Sequence, residues 1–216
     1  MKNFARTFLS GIYAGIFIGI AGTVFLSVKN PQLGAFLFAF GLLTIVCYQF
    51  KLFTGAVGYL AEQSRTTFLP YLLSLFAIWT GNFIGCLLTG TLIRRTRFYS
   101  GFSSRVAQMC EQKVADGACS ILILAFFCGI LMYIAVETFR RQELPGFVRG
   151  IMVFMCVSVF ILSGFEHSIA GMYYFSVAGK WCAKSLCCVL LMSLGNALGG
   201  MLVPFGNKFR LEKKNA

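Results

Sequence analysis

The sequence predicts an all-α integral membrane protein: six transmembrane helices as an inverted 3+3 repeat, with one broken helix in each half. Three observations carry this reading. First, 58% of the 216 residues are apolar and only 12% are charged, against about a quarter charged in soluble domains. That balance excludes a soluble enzyme, which needs a charged skin, and also a disordered chain. Second, residues 7–28, 30–50, 66–93, 117–136 and 185–207 carry no charged side chain. Each run reaches the roughly 20 residues that a helix needs to cross hydrocarbon. They do not alternate polar with apolar, as barrel strands would. Third, two apolar stretches, 30–61 and 150–179, are interrupted by Lys51 and by Glu166 with His167. Ionisable groups inside such stretches are costly and mark functional positions.

The elements follow in order. Lys2 and Arg6 precede the first run, which exceeds the roughly 7–15 apolar residues of a signal peptide, so a retained helix is expected. The pieces flanking each interruption are too short to span alone, and discontinuous helices of this kind mark transport sites. The second half repeats the first. Gly81-Asn82-Phe83-Ile84-Gly85 recurs as Gly195-Asn196-Ala197-Leu198-Gly199 at an offset of 114 residues, and Ala14-Gly15-Ile16 pairs with Cys128-Gly129-Ile130. Leu52-Phe53-Thr54-Gly55 pairs with Phe165-Glu166-His167-Ser168 at an offset of 113, which makes Thr54 the partner of His167. Three crossings per half is an odd number, so the halves insert with opposite orientation and their breaks meet near the midplane. The chain 1–216 therefore reads as one transmembrane domain with halves of about 7–93 and 117–207.

The glycines spaced four apart, such as Gly15 with Gly19 and Gly195 with Gly199, suit close helix packing. Asn82 and Asn196 are expected to brace the broken segments, because a break frees backbone groups that need partners. The side holding the termini carries ten Lys and Arg against eight on the other, which favours cytoplasmic termini of a multi-pass cell-membrane protein. Residues 94–113 read as a basic external loop, suited to anion attraction or to a lipid surface. The nine cysteines lack metal-ligand spacing and the chain has a single histidine, so neither a metal site nor a cofactor is expected.

His167 is the central candidate. An imidazole with an unperturbed pKa of about 6.5 can hand hydrogen bonds or a proton to a small anion that faces a severe desolvation cost. Thr54 adds a hydroxyl, and phenylalanines beside them make dewetted constrictions. Glu166 is expected to orient the ring, to pair with Lys51, or to cap a half-helix.

Leu52-Phe53-Thr54-Gly55, Gly164-Phe165-Glu166-His167-Ser168, Gly129-Ile130-Leu131 and Gly195-Asn196-Ala197-Leu198-Gly199-Gly200 resemble the signature segments of the formate/nitrite transporter family. The resemblance covers nearly the whole chain. It implies an aquaporin-like protomer in a lipid bilayer, a homopentamer with one pathway per protomer, and small monovalent anions (formate, nitrite, hydrosulfide or short carboxylates) as substrates. It gives no role to nucleic acid or to catalysis. It places His167 and Thr54 at the centre and Phe53, Phe160 and Leu42 at the constrictions. Tyr133 takes a place near the histidine that often holds Asn in the family. Lys113 answers to a family lysine, and Lys51 stands where the family is often acidic. A neutral-solute pore of aquaporin type is the alternative, although its paired Asn-Pro-Ala breaks are absent here. A membrane enzyme using His167 is disfavoured by the lack of a paired nucleophile.

Overall fold

The computed structural model describes residues 2–212, with side chains described for 4–207. Lys2 and the basic tail after Asn207, used above to orient the termini, lie outside those side chains. The described chain is helical throughout: α1 (Lys2–Ser27), α2 (Pro31–Cys47), α3 (Phe53–Ala56), α4 (Arg65–Arg94), α5 (Ser103–Ala115), α6 (Ala118–Arg140), α7 (Gly146–Leu162), α8 (Ser168–Ala178) and α9 (Ala183–Glu212). By length and composition α1, α4, α6 and α9 are long and apolar enough to cross a membrane, and α2 and α7 are shorter apolar helices. Each short helix is followed by a second short piece: α3 with the 3-10 turn 57–62 after α2, and α8 after α7.

Local chemistry fixes the boundaries. Asn30 caps α2 by accepting the Leu33 N–H at 2.9 Å, with Pro31 in the first turn. Ser64 and Thr67 form a reciprocal capping box at the start of α4. Both broken helices stop in the same way. The Phe50 N–H reaches back to the Ile45 carbonyl, and the Phe165 N–H to that of Phe160, each at 2.9 Å. Between them stand Gln49 at φ 57° and Gly164 at φ 68°. Glycine occupies that left-handed position freely, whereas glutamine is strained there.

The halves pack alike. Helix α1 lies on α4, and α6 lies on α9. A Cβ on Gly15 would overlap the backbone oxygen of Asn82, and one on Gly129 would overlap that of Asn196. These glycines therefore let the backbones touch. Trp79 Nε1 donates to Ser193 Oγ at 2.9 Å. The two are equivalent positions of α4 and α9, so the pseudo-two-fold axis runs between them.

One expectation changes. Residues 94–113 are not a free loop. They form a 3-10 turn at 97–101 and then α5, whose Val106 and Cys110 are buried. Arg105 donates to the Phe25, Leu26 and Val28 carbonyls at 2.8–3.1 Å and so closes the C-terminus of α1. Arg105 of this segment is thus committed internally.

Candidate functional site

The two asparagines build the site. Asn196 accepts the Ser168 N–H at 2.9 Å and donates to the carbonyls of Glu166 and Ala125 at 2.8 Å. Asn82 accepts the Phe53 N–H at 2.9 Å and donates to the carbonyls of Lys51 at 2.9 Å and Gly11 at 2.8 Å. Each amide therefore clamps the peptide groups on both sides of one residue: His167 in the second break and Leu52 in the first. A break inside an apolar layer frees backbone donors and acceptors that water cannot reach, and these amides satisfy them.

This pattern corrects the repeat register at the breaks. Lys51, Leu52 and Phe53 are equivalent to Glu166, His167 and Ser168, an offset of 115 rather than 113. Thr54 is not the repeat equivalent of His167. That equivalent is the buried Leu52, so the centre carries one imidazole facing an asymmetric surround.

Thr54 and His167 nevertheless meet. Thr54 Oγ1 lies 2.9 Å from His167 Nε2, and both side chains are buried. His167 is also the N-cap of α8: its Nδ1 accepts the Ala170 N–H at 3.1 Å. A ring nitrogen that accepts cannot carry the proton, which fixes the neutral tautomer as Nε2–H donating to Thr54. The Thr54 hydroxyl hydrogen then has no acceptor among the described residues. Protonating Nδ1 would turn it toward the Ala170 N–H and cost the cap.

The surround is apolar. The Phe160 ring stacks on His167 with centroids 5.5 Å apart, and Phe38 meets Phe160 edge-on at 6.0 Å. Leu42 and Phe160 are buried and Phe53 is half-buried.

Two expected placements differ. Glu166 does not pair with Lys51. Both its carboxylate oxygens take Lys113 Nζ at 2.6 Å, and α5 brings that lysine in. The Tyr133 hydroxyl does not turn to His167. It donates to Glu62 at 3.2 Å, beside Tyr59.

Sequence reasoning also missed a matched pair of side-chain bonds. Thr23 bonds the Tyr173 hydroxyl at 2.5 Å, and the Tyr59 hydroxyl donates to Glu137 at 2.8 Å. These residues are repeat equivalents at an offset of 114, and that offset was the signal that would have found them. A cavity of about 1080 Å³ opens below the first break, on the side of the α1 start. Its lining includes Thr7, Gln49, Lys51, Leu52, Glu62 and Arg140.

Comparisons with known proteins bear on the family and the fold. The sequence profile of the formate/nitrite transporter family matches residues 1–207. The formate channel FocA of Escherichia coli (strain K12) is 25% identical over 189 residues, covering 80% of this chain and 66% of that protein. A formate-nitrite transporter of Plasmodium falciparum is 27% identical over 203 residues, covering 81% of this chain and 64% of that protein. The chain thus spans about two thirds of the length of these relatives. A solved pentameric formate channel with formate bound superposes with a TM-score of 0.82 at 21% identity, covering 98% of both chains. At that identity the likeness establishes the fold.

Proposed function

The chain belongs to the formate/nitrite transporter family, and on that premise we propose that it carries small monovalent anions, or their weak acids, past the Thr54–His167 contact. One observation carries the reading: a threonine hydroxyl and an imidazole joined at 2.9 Å where the two breaks meet, in otherwise apolar surroundings. A bare anion there would face a large desolvation cost. The Thr54 O–H is free to offset part of it, and the His167 Nε2–H joins it as a second donor on releasing Thr54 Oγ1. Leu42, Phe53 and Phe160 form the dewetted constrictions that keep hydrated ions out.

The tautomer defines the role of the ring. Neutral His167 acts as a hydrogen-bond donor rather than as a standing acid, because its second nitrogen is held by Ala170. A weak acid that takes its proton from the aqueous side crosses as the neutral species and is met by these donors. The Lys113–Glu166 pair holds the second break without leaving a net charge beside the ring.

We further infer a homopentamer with one pathway per protomer and cytoplasmic termini. The pentameric formate channel neighbour supports the first, and the basic side chains near the termini support the second. Formate, nitrite and hydrosulfide are the substrates to rank. Uptake into liposomes across pH tests the reading, with His167→Ala alongside. Absence of anion flux from folded protein would return the choice to a neutral-solute pore.

A further inference from the structure

We propose that Lys51 and Gln49 form an anion-loading subsite at the mouth of the first break, a feature the second break lacks. The inference rests on the transport reading and deepens it. The equivalence of the two breaks is structural. The Lys51 and Glu166 carbonyls are held by the paired asparagines, at 2.9 and 2.8 Å. The side chains at these matched positions have opposite charge and opposite fates. Glu166 is buried and neutralised by Lys113. Lys51 is exposed, and its ammonium makes no ion pair or hydrogen bond among the described residues. Its backbone N–H is anchored on Ser10 Oγ at 3.1 Å, which fixes where the side chain starts.

Gln49 sharpens the contrast. Its equivalent is Gly164, the residue suited to the left-handed turn, yet glutamine holds φ 57° here. A strained non-glycine residue at such a point is a pointer to function. Its amide also has no hydrogen-bond partner among the described residues. Gln49 and Lys51 both line the 1080 Å³ cavity that leads to Leu52 and Gly55 of the break. The other charged lining groups are Glu62, which accepts the Tyr133 hydroxyl, and Arg140, whose guanidinium lies 4.4 Å over the Tyr59 ring. Lys51 is the cation in this cavity without such a commitment. An ammonium and an amide N–H₂ lining one cavity suit a small monovalent anion such as a carboxylate. The subsite would raise anion occupancy at this mouth alone and make half-saturation depend on the side of loading.

Formate is the probe, in two measurements on the full chain. In oriented proteoliposomes, Lys51→Gln is expected to raise half-saturation roughly fivefold from the Lys51 side, the worth of one water-exposed charge contact. The maximal rate and the other side should stay near wild type. Lys51→Arg should restore the wild-type value, Gln49→Ala should give a smaller rise, and Lys29→Gln, which removes a charge from the α1–α2 connection, should change nothing. In detergent, line broadening of ¹³C-formate should weaken in Lys51→Gln and not in Lys29→Gln. Equal effects of Lys51→Gln and Lys29→Gln on half-saturation would overturn the subsite. If wild-type protein passes no formate, the transport reading fails, and the broadening still decides. Lys51-dependent broadening supports the subsite, and Lys51-independent or absent broadening overturns it.

Discussion

Replacing Asn196 removes the brace on both peptide groups that flank His167. The amide makes three buried bonds: one accepted from Ser168 and two donated to Ala125 and Glu166. At about 1 kcal/mol net per bond the loss is about 3 kcal/mol. At the ~0.6 kcal/mol average measured between membrane helices it is about 2 kcal/mol. For a chain of this size that corresponds to a fall of about 5–10 °C in Tm. Asn196→Asp makes the sharper test. It keeps the shape and the acceptor but turns an oxygen toward two carbonyl oxygens, so it should cost more than Asn196→Ala. Thermal unfolding in detergent, followed by the fluorescence of Trp79 and Trp181, reads both. An alanine variant within 1 °C of wild type, or an aspartate variant more stable than the alanine one, would refute the bracing argument. Asn82→Ala should cost somewhat less, since two of its bonds reach partly exposed backbone.

Two further expectations use the same assay, and a third reads the yield of folded protein. Lys113→Met leaves the Glu166 carboxylate buried and unpaired and should cost about 3 kcal/mol, with Lys113→Met/Glu166→Gln recovering most of it; additive losses in the double-mutant cycle would contradict the pairing. Gln49→Gly relieves the left-handed strain and should stabilise by about 0.5–1 kcal/mol after the entropy cost of glycine; a lower Tm would contradict the strain. Gly129→Val forces a side chain into the Asn196 backbone oxygen and should abolish folded protein, whereas Gly117→Val, at an open site, should leave the yield of folded protein unchanged.

Much of this architecture is legible in the residues. The uncharged runs give the crossings, and the interruptions at Lys51 and at Glu166-His167 give the breaks. Asn82 and Asn196 announce the braces because a buried amide and a freed backbone need each other. Other features depend on helical phase and on tertiary approach. The sequence suggests Lys51 as a partner for Glu166, and only the fold of α5 brings Lys113 there instead. The family resemblance places Tyr133 near the histidine, but the turn of α6 sends its hydroxyl to Glu62. Counting residues through a break also fails. The connection between α6 and α7 is longer than that between α1 and α2, so α2 and α7 already run at an offset of 115, and Leu52, not Thr54, matches His167. Helix α5 escapes an apolar-run reading because it is largely polar and packs through a few residues such as Val106 and Cys110.

The most direct test of the central claim is flux through the Thr54–His167 contact. Formate, nitrite, hydrosulfide and acetate uptake would be measured in liposomes across pH for wild type, His167→Ala and Thr54→Val. The account predicts saturable uptake that rises with acidity. Each substitution should lower it about tenfold or more, the worth of one hydrogen bond to a charged group. Undiminished anion flux in both variants, with protein shown to be folded, would contradict it.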